Sequence, residues 1–407
     1  MICPNDPNIN YLIKSQAIQA NATINLVASE NYASAAVRAP LSSLLSSKYA
    51  EGYPGKRYYP GCQIVDSIES TAIERCKELF GAEHANVQPH SGTQANMAAL
   101  FALLKPGDTL LGMDLKSGGH LSHGTPISFS GTFYQSRTYG VDPETELLDY
   151  DAIEKLAHEY QPKLVIAGAS AYSRTIDFAR FAQIAKSVNA LLVADIAHIA
   201  GLVATNLHPS PVPYADVVTF STHKTLRGPR GGGILCTAAF QEKINRAVMP
   251  GIQGGPCINS IAAKAIAFGE AATPAFCTYQ RHVLANAHTL ACALQALGYK
   301  LVSGGTDNHL LIIDLRNKNI TGLEAEKALE SVGILANRNC IPADPQKPSI
   351  TSGLRLGTPA ITTRGMREHE MLTLAQLIHE TLQNKENPAK LGVLASEVTK
   401  LAQSFPV

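Results

Sequence analysis

The chain of 407 residues has little charge and no excess of either sign. Charged residues make up 16% of the sequence, below the roughly 25% of an average soluble domain. The 34 Lys and Arg residues balance 33 Asp and Glu residues, and no long basic run occurs. This balance argues against a protein that binds nucleic acid or a membrane surface through its charge. Because so little of the sequence is charged, we expect a second subunit to cover part of the surface and the protein to be an oligomer.

The sequence also lacks the patterns of metal-binding, secreted and membrane proteins. Its eight cysteines form no CxxC motif and no Cys and His pairing typical of zinc, so we expect no structural metal and no disulfide framework. No stretch reaches about 18 continuous apolar residues, the length of a membrane-spanning helix. The N-terminal MICPNDPNIN lacks the basic and apolar regions of a signal peptide. We therefore expect a cytoplasmic protein.

Apolar strand-like runs alternate with helical patterns through the middle of the chain. A βαβ unit is predicted from KLVIAG (163–168), a helical pattern over 177–188 and LLVADI (191–196). Further strands are predicted at 109–113, 217–222 and 232–236, with a helix over 93–104. Strands that read as continuous apolar runs are buried on both faces. The sequence therefore predicts an α/β fold with a large α/β/α domain around a mostly parallel sheet.

The pattern becomes predominantly helical after about residue 256. Helices are predicted over 260–272, 280–298, 322–333, 366–384 and 390–402, and a short strand over 310–315. This combination of several helices and one strand predicts a small α+β domain at the C-terminus. We expect an N-terminal arm over 1–24, a large domain over 25–275 and the small domain over 276–407.

Lys224 lies in an unusual segment for a lysine. It follows the predicted strand VVTF in STHKTLRGPRGG (221–232), among hydroxyl groups and glycines. One interpretation is an exposed loop lysine beside a glycine-rich turn. The other is a lysine that forms a Schiff base, because partial burial near Arg227 and Arg230 would favour the neutral amine that attacks carbonyl groups.

Asp195 ends the predicted buried strand LLVAD, at the edge of the sheet where α/β proteins bind ligands. A buried carboxylate needs a cation or a hydrogen-bond donor as its partner. An arginine or a helix N-terminus is one possible partner. The protonated ring nitrogen of pyridoxal phosphate (PLP) is another, and a lysine on the same protein favours it.

Two glycine-rich segments upstream are compatible with the same cofactor. Ser91, Gly92 and Thr93 begin a predicted helix, where backbone N–H groups and the helix dipole attract anions such as a phosphate. The alternative is an ordinary helix cap. In SGGHLSHG (117–124), His120 and His123 could stack on a flat ring or bind a metal, although no third ligand accompanies them.

Arg355 lies inside the short apolar segment SGLRLG. A buried guanidinium group needs an anionic partner. A bidentate contact with a substrate carboxylate and a structural salt bridge remain equally open from the sequence.

Taken with their neighbours, these segments resemble serine hydroxymethyltransferases. The similar segments are NLVASEN (25–31), KYAEGYPGKRYY (48–59), NVQPHSGTQAN (86–96), GGHLSHG (118–124), GASAYSRTIDF (168–178), VADIAHIAGLVA (193–204), STHKTLRGPRGG (221–232), QGGP (253–256), SGGTDNHL (303–310) and TSGLRLGTPAIT (351–362). The resemblance implies a PLP-dependent fold-type I architecture, like that of aspartate aminotransferase. It further implies a homodimer with shared active sites, in which serine or glycine and tetrahydrofolate are the substrates.

The resemblance also implies roles for individual residues. Lys224 would bind PLP covalently and Asp195 would hold the ring nitrogen. The other implied PLP contacts are His120 on the ring face, His198 and Ser170 around the phenolic oxygen and Asp195, and Ser91, Gly92, His223, Tyr49, Gly254 and Gly255 at the phosphate. Of these, Tyr49, Gly254 and Gly255 would come from the partner subunit.

The implied substrate site completes this set. Arg355 and Ser29 would bind the amino-acid carboxylate, Glu51 would move a proton, and Tyr59 of the partner subunit would line the pocket. Tetrahydrofolate would contact Leu115, Gly119, Leu121 and Asn339. One departure from the family pattern stands out: Gln63 follows the paired tyrosines where a glutamate is usual.

Two other functions remain open from the sequence. One is cleavage of β-hydroxy amino acids without folate, which the same lysine chemistry permits. The other is an inactive homologue that binds or regulates a partner, although Lys224 and Asp195 are both present.

Overall fold

The computed structural model describes residues 6–407 and divides the chain into two units. One unit is Ala33–Arg281, and the other combines the residues up to Tyr32 with His282–Val407. The division near Arg281 lies close to the predicted boundary at 275. The N-terminal residues differ from the expectation, because they belong to the same unit as the C-terminal segment instead of forming a separate arm. Cys3 lies outside the described residues.

The unit Ala33–Arg281 is built on a seven-stranded sheet. In chain order its strands are β1 (His84–Asn86), β2 (Thr109–Met113), β3 (Gln135–Tyr139), β4 (Leu164–Gly168), β5 (Leu191–Asp195), β6 (Val217–Ser221) and β7 (Gly232–Cys236). Their order across the sheet is β1, β7, β6, β5, β4, β2, β3. All neighbours pair in parallel except β7, which is antiparallel to both β1 and β6.

The central strands form because their side chains are apolar on both faces. Every residue of β4, β6 and β7 is buried, as expected of strands covered by helices on both sides. The helices of this unit are Ala35–Arg38, Gln63–Phe80, Gly92–Leu103, Phe129–Phe133, Tyr150–Tyr160, Phe178–Ser187, Ala200–Ala204, Gln241–Arg246 and Ile258–Ala271. The prediction of an α/β fold with a mostly parallel sheet is confirmed.

The two edge strands were not predicted. β3 has the sequence QSRTY, and only its last residue, Tyr139, is buried. β1 has three residues. A strand at the edge of a sheet needs neither a continuous apolar run nor length, so its sequence resembles that of a loop.

The second unit contains a four-stranded antiparallel sheet. Its strands, in order across the sheet, are Lys300–Leu301, Leu310–Asp314, Gly353–Gly357 and Asn337–Asn339. The strand Ile24–Asn25 pairs in parallel with Ile334–Leu335, which explains why the N-terminal residues belong to this unit. The helices are Pro7–Ala22, Gly322–Ser331, Pro359–Thr363, Glu368–Gln383 and Pro388–Gln403. The helix Pro274–Ala296 runs across the division of the chain.

Gly168 ends β4 and pairs with Asp195, the last residue of β5. It has a φ of +147°, and a Cβ atom placed on it would lie 2.1 Å from the backbone oxygen of Asp195 in β5. No side chain fits there without separating the two strands. Gly81 also has a positive φ, +67°, but a Cβ atom on it would meet open space.

We predict that Gly168→Ala lowers the free energy of unfolding by at least about 3 kcal/mol, because backbone strain and a steric clash add. Gly81→Ala, which introduces strain without a clash, should lower it by about 1 kcal/mol. Urea denaturation of both variants measures the difference. Equal losses would contradict close backbone packing between β4 and β5.

Candidate active site

Asp195 lies at the carboxyl end of β5 with its carboxylate buried, at 6% exposure. Its Oδ2 accepts hydrogen bonds from Asn96 Nδ2 at 2.7 Å and from His123 Nε2 at 2.9 Å. Its Oδ1 accepts one from the backbone N–H of Ala197 at 2.9 Å. Both carboxylate oxygens therefore have donors, which is the condition for burying a charge.

These donors keep Asp195 ionised. Burial alone would raise the pKa of its carboxyl group, but hydrogen bonds and electrostatic attraction from His123, His120 and Asn96 hold that pKa well below its usual range. The orientation of His123 supports this. Its Nδ1 accepts a hydrogen bond from the backbone N–H of His120 at 3.2 Å, so its Nε2 is the nitrogen that donates to Asp195.

Asn96 connects Asp195 with His120. Its side-chain oxygen accepts a hydrogen bond from Thr219 Oγ1 of β6 at 2.5 Å, which orients the amide. Its Nδ2 group donates to Ser122 Oγ at 2.8 Å as well as to Asp195. Ser122 in turn contacts His120 Nδ1, through its Oγ at 2.7 Å and its backbone N–H at 3.2 Å. The ring of His120 is therefore held in one orientation.

The loop after β6 holds Lys224 half-buried. Thr222, two residues before it, donates from Oγ1 to the backbone oxygen of Pro229 at 2.6 Å. Thr225, directly after it, donates to the backbone oxygen of His198 at 2.7 Å and accepts from the N–H of Gly201 at 3.0 Å. The lysine thus lies on a fixed loop beside the turn that follows Asp195.

His223 has an unsatisfied polar atom in the same loop. Its Nδ1 is buried and has no hydrogen-bond partner among the described residues. Burial, together with the positive charges of Arg230 and Lys224, lowers the pKa of His223 to about 4. The ring is therefore neutral at physiological pH, and one nitrogen is left without a partner near two cationic side chains.

Ser91 and Gly92 begin a helix directly against this loop. Ser91 Oγ caps the helix Gly92–Leu103 by accepting from Gln94 N–H at 3.1 Å. A Cβ atom on Gly92 would lie 2.5 Å from Ser221 Oγ, and one on Gly232 would lie 2.4 Å from the backbone oxygen of Ser91. The helix N-terminus, whose first N–H groups have no partner within the helix, therefore lies close to the ends of β6 and β7.

Four further predicted residues lie at or beside a turn next to His120. The backbone N–H of Ser170 donates to the oxygen of Gly118 at 2.8 Å, and that of Gly119 donates to Asp114 at 2.8 Å. Leu115 and Leu121 flank this turn with 37% and 44% of their surface exposed. Exposed leucines on both sides of a fixed turn provide an apolar contact surface.

A second cluster contains Tyr49, Glu51, Tyr59 and the glycine loop. The rings of Tyr49 and Tyr59 meet edge to face at 4.9 Å, and Tyr49 OH lies 3.5 Å from Glu51 Oε1. The negative charge of Glu51 raises the pKa of Tyr49. A Cβ atom on Gly254 would lie 3.1 Å from Glu51 Oε1, and one on Gly255 would lie 3.3 Å from the Tyr49 ring.

Gln253 joins the glycine loop to the turn that precedes Ser91. Its side chain accepts from the backbone N–H of His90 at 3.2 Å and donates to the backbone oxygen of Gln88 at 3.1 Å. Gln63, the departure from the family pattern, is exposed at the start of the helix Gln63–Phe80.

Arg355, Ser29 and Asn339 belong to the other unit. Arg355 lies on the strand Gly353–Gly357, and its Nε donates to Asn337 Oδ1 at 3.3 Å. Burial lowers the pKa of Arg355 to about 10, so it stays charged at neutral pH. Ser29 follows Ala28. A Cβ atom placed on Gly357 would lie 2.4 Å from the Cα atom of Ala28. Asn339 pairs with Gly353 on the adjacent strand.

The structure therefore groups the predicted residues of Ala33–Arg281 into two clusters, one around Asp195 and Lys224 and one around Tyr49 and Glu51. It adds Asn96, Ser122 and His123 in contact with Asp195 or His120. His123 is expected from the sequence to stack on a flat ring or bind a metal, without an assigned partner, and neither Asn96 nor Ser122 is predicted. In the sequence, these three residues are marked only by their position within segments 86–96 and 118–124, which carry the family resemblance.

The Asp195 cluster fits PLP. An ionised buried carboxylate suits a protonated ring nitrogen, a helix N-terminus suits a phosphate, and the unpartnered His223 Nδ1 leaves one polar atom for a bound group. Within residues 6–407, no group of three or more His, Cys, Asp or Glu side chains could hold a metal ion. No helix in the same range is long and apolar enough to cross a membrane.

A family model described as serine hydroxymethyltransferase matches residues 2–378 of the chain. The match covers both described units except for the end of the C-terminal segment. It confirms the resemblance found in the sequence and the assignment to PLP-dependent fold-type I. Enzymes of this family transfer a one-carbon group between serine and tetrahydrofolate with PLP as cofactor. The chain belongs to the serine hydroxymethyltransferase family.

Proposed function

We propose that Asp195 and Lys224 are the centre of the PLP site through which this chain interconverts serine and tetrahydrofolate with glycine and 5,10-methylenetetrahydrofolate. The main support is the buried carboxylate of Asp195, whose pKa lies well below its usual range. PLP, when bound, withdraws electrons from the amino-acid Cα and so allows a bond at that carbon to break. Asp195 stays anionic and therefore favours a proton on the ring nitrogen that it contacts.

The other cofactor contacts follow from the surroundings of Asp195. Lys224 would supply the amine that binds the PLP aldehyde, and His120 would contact the face of the ring. His198 and Ser170 contact the phenolic side of the ring. Ser91, Gly92 and His223 bind the phosphate, because the first two lie at a helix N-terminus and the third has an unpartnered nitrogen.

Arg355 and Ser29 bind the substrate carboxylate in this proposal. Arg355 remains protonated at neutral pH although burial lowers its pKa to about 10. A guanidinium group presents two parallel N–H donors to a carboxylate and so fixes the orientation of the amino acid. Orientation of the breaking bond, rather than charge alone, is the contribution expected from such a clamp.

Glu51 moves the proton between the serine hydroxyl group and folate, with Tyr59 beside it. Tetrahydrofolate contacts Leu115, Gly119, Leu121 and Asn339.

We further propose that the active form is a homodimer in which Tyr49, Tyr59 and the loop Gly254–Gly255 serve the partner's site. Support comes from the rings of Tyr49 and Tyr59, which meet edge to face while 55% and 42% of their surfaces are exposed, and so form an aromatic patch that a second subunit can cover.

Lys224→Ala should abolish both the visible absorbance of bound PLP and serine-dependent formation of methylenetetrahydrofolate, because alanine has no amine to bind the aldehyde. Absorbance spectroscopy and a turnover assay measure these losses, and circular dichroism checks that the variant is folded. Lys243→Ala, on the short helix Gln241–Arg246, is the matched control and should resemble the unmodified protein. Normal turnover by Lys224→Ala would refute the assignment.

Glu51→Gln should retain bound PLP but lower the folate-dependent rate by about 100-fold or more, because an amide cannot accept and return a proton. The measurement is turnover of serine with and without tetrahydrofolate at saturating PLP. Glu74→Gln, at an exposed position on the helix Gln63–Phe80, controls for the loss of a negative charge. An unchanged folate-dependent rate would remove Glu51 from this role.

Mixing the two inactive variants tests the shared site. Because Glu51 lies 3.5 Å from Tyr49 of the same chain, it would act in the partner's site together with Tyr49. In a mixed dimer of Lys224→Ala and Glu51→Gln, one site would then contain both substitutions and the other would contain neither. We expect activity to return after the variants are unfolded and refolded together, up to about a quarter of the unmodified level for random mixing. No recovery despite proven mixed dimers would place Glu51 and Lys224 of one chain in the same site.

A further inference from the structure

Lys264 is buried in the middle of the helix Ile258–Ala271, with 1% of its surface exposed. Its Nζ donates to three backbone oxygens, those of Val87 at 2.6 Å, Pro89 at 2.9 Å and Gly232 at 2.9 Å. An ammonium group has three N–H donors and no acceptor. Its hydrogen-bonding capacity is therefore filled by backbone oxygens alone.

The three acceptors lie on both sides of the turn that contains Ser91. Val87 and Pro89 belong to the chain that enters the turn, between β1 and the helix Gly92–Leu103. Gly232 starts β7 and touches the far side, since a Cβ atom on it would lie 2.4 Å from the backbone oxygen of Ser91 and 3.0 Å from the nitrogen of Gly92. One side chain thus ties the turn to the strand against which it rests.

The neighbours of Lys264 give this cation few competing partners. Burial lowers the pKa of Lys264 to about 7, while Cys257, Cys76 and Glu69 act in the opposite direction. Glu69 is already paired with Arg57 at 2.6 Å. Burial and, as the smaller cause, the charge of Lys264 lower the pKa of His90, the residue before Ser91. Its electrostatic field therefore reaches the turn.

If packing were the only requirement at this position, an apolar side chain would fill the same space at a lower cost in free energy. Burying a charged group costs more free energy than burying an apolar side chain of similar size. Packing within the alanine-rich core of this helix therefore does not explain why a charged lysine is buried here. The anion expected at Ser91 and Gly92 explains the buried charge, because a nearby cation attracts it.

We propose that Lys264 is a positioning residue for a phosphate monoester: it fixes the turn Pro89–Gly92 and places a positive charge behind the helix N-terminus that binds the PLP phosphate. The ligand group it serves is the phosphate rather than the ring or the aldehyde. This inference rests on the proposed function, in which Ser91 and Gly92 bind that phosphate.

The test compares PLP with pyridoxal, which lacks the phosphate, as ligands of the apoprotein. Lys264→Met should weaken PLP binding by about tenfold or more, the size of one lost hydrogen bond to a charged group, and leave pyridoxal binding unchanged. The ³¹P chemical shift of bound PLP should also change. Lys264→Gln keeps two N–H donors without the charge and should lose less affinity; it replaces the methionine variant if that variant does not fold.

Cys76→Ala is the matched control, because Cys76 is buried beside Lys264 and its removal disturbs the same core without removing the ammonium group. It should lower stability and leave the PLP to pyridoxal affinity ratio unchanged. Equal loss of both ligands in folded Lys264 variants, or no loss of either, would overturn the inference. Failure of the unmodified protein to prefer PLP over pyridoxal would instead refute the proposed phosphate site itself.

Discussion

The buried carboxylate of Asp195 is the constraint on which the rest of the site depends. A negative charge at the end of a central strand is stable only if fixed donors surround it. Those donors come from separate parts of the chain, Asn96 on the helix Gly92–Leu103, His123 on the turn after β2 and the N–H of Ala197. Each donor is held by a further hydrogen bond or by the backbone, so the charge determines the arrangement of several elements at once.

The helix Gly92–Leu103 has two roles in this arrangement. Its N-terminus, with Ser91 and Gly92, lies against the ends of β6 and β7, and Asn96 on its next turn contacts Asp195. The proposed phosphate and ring-nitrogen contacts are therefore set by one rigid element. Lys264 fixes the chain that enters this helix.

The central strands and long helices could be predicted because their apolar periodicity is strong, and Lys224 and Asp195 could be found because each lies at the end of such a strand. The edge strands β1 and β3 could not, since exposure removes the apolar pattern. Roles that depend on contacts distant in sequence were also missed. Asn96 and Asp195 are 99 residues apart, and nothing in the alanine-rich segment around Lys264 indicates the three carbonyl oxygens that it meets.

In the proposed site, Asp195 stays ionised and thereby keeps a proton on the ring nitrogen of PLP. Nitrogen-15 NMR of PLP labelled at that nitrogen measures this directly. We predict the chemical shift of a protonated ring nitrogen in the unmodified protein at neutral and alkaline pH, and that of an unprotonated nitrogen in Asp195→Asn, because an amide does not stabilise the ring cation as a carboxylate does. An unprotonated nitrogen in the unmodified protein, or the same shift in both proteins, would contradict the account.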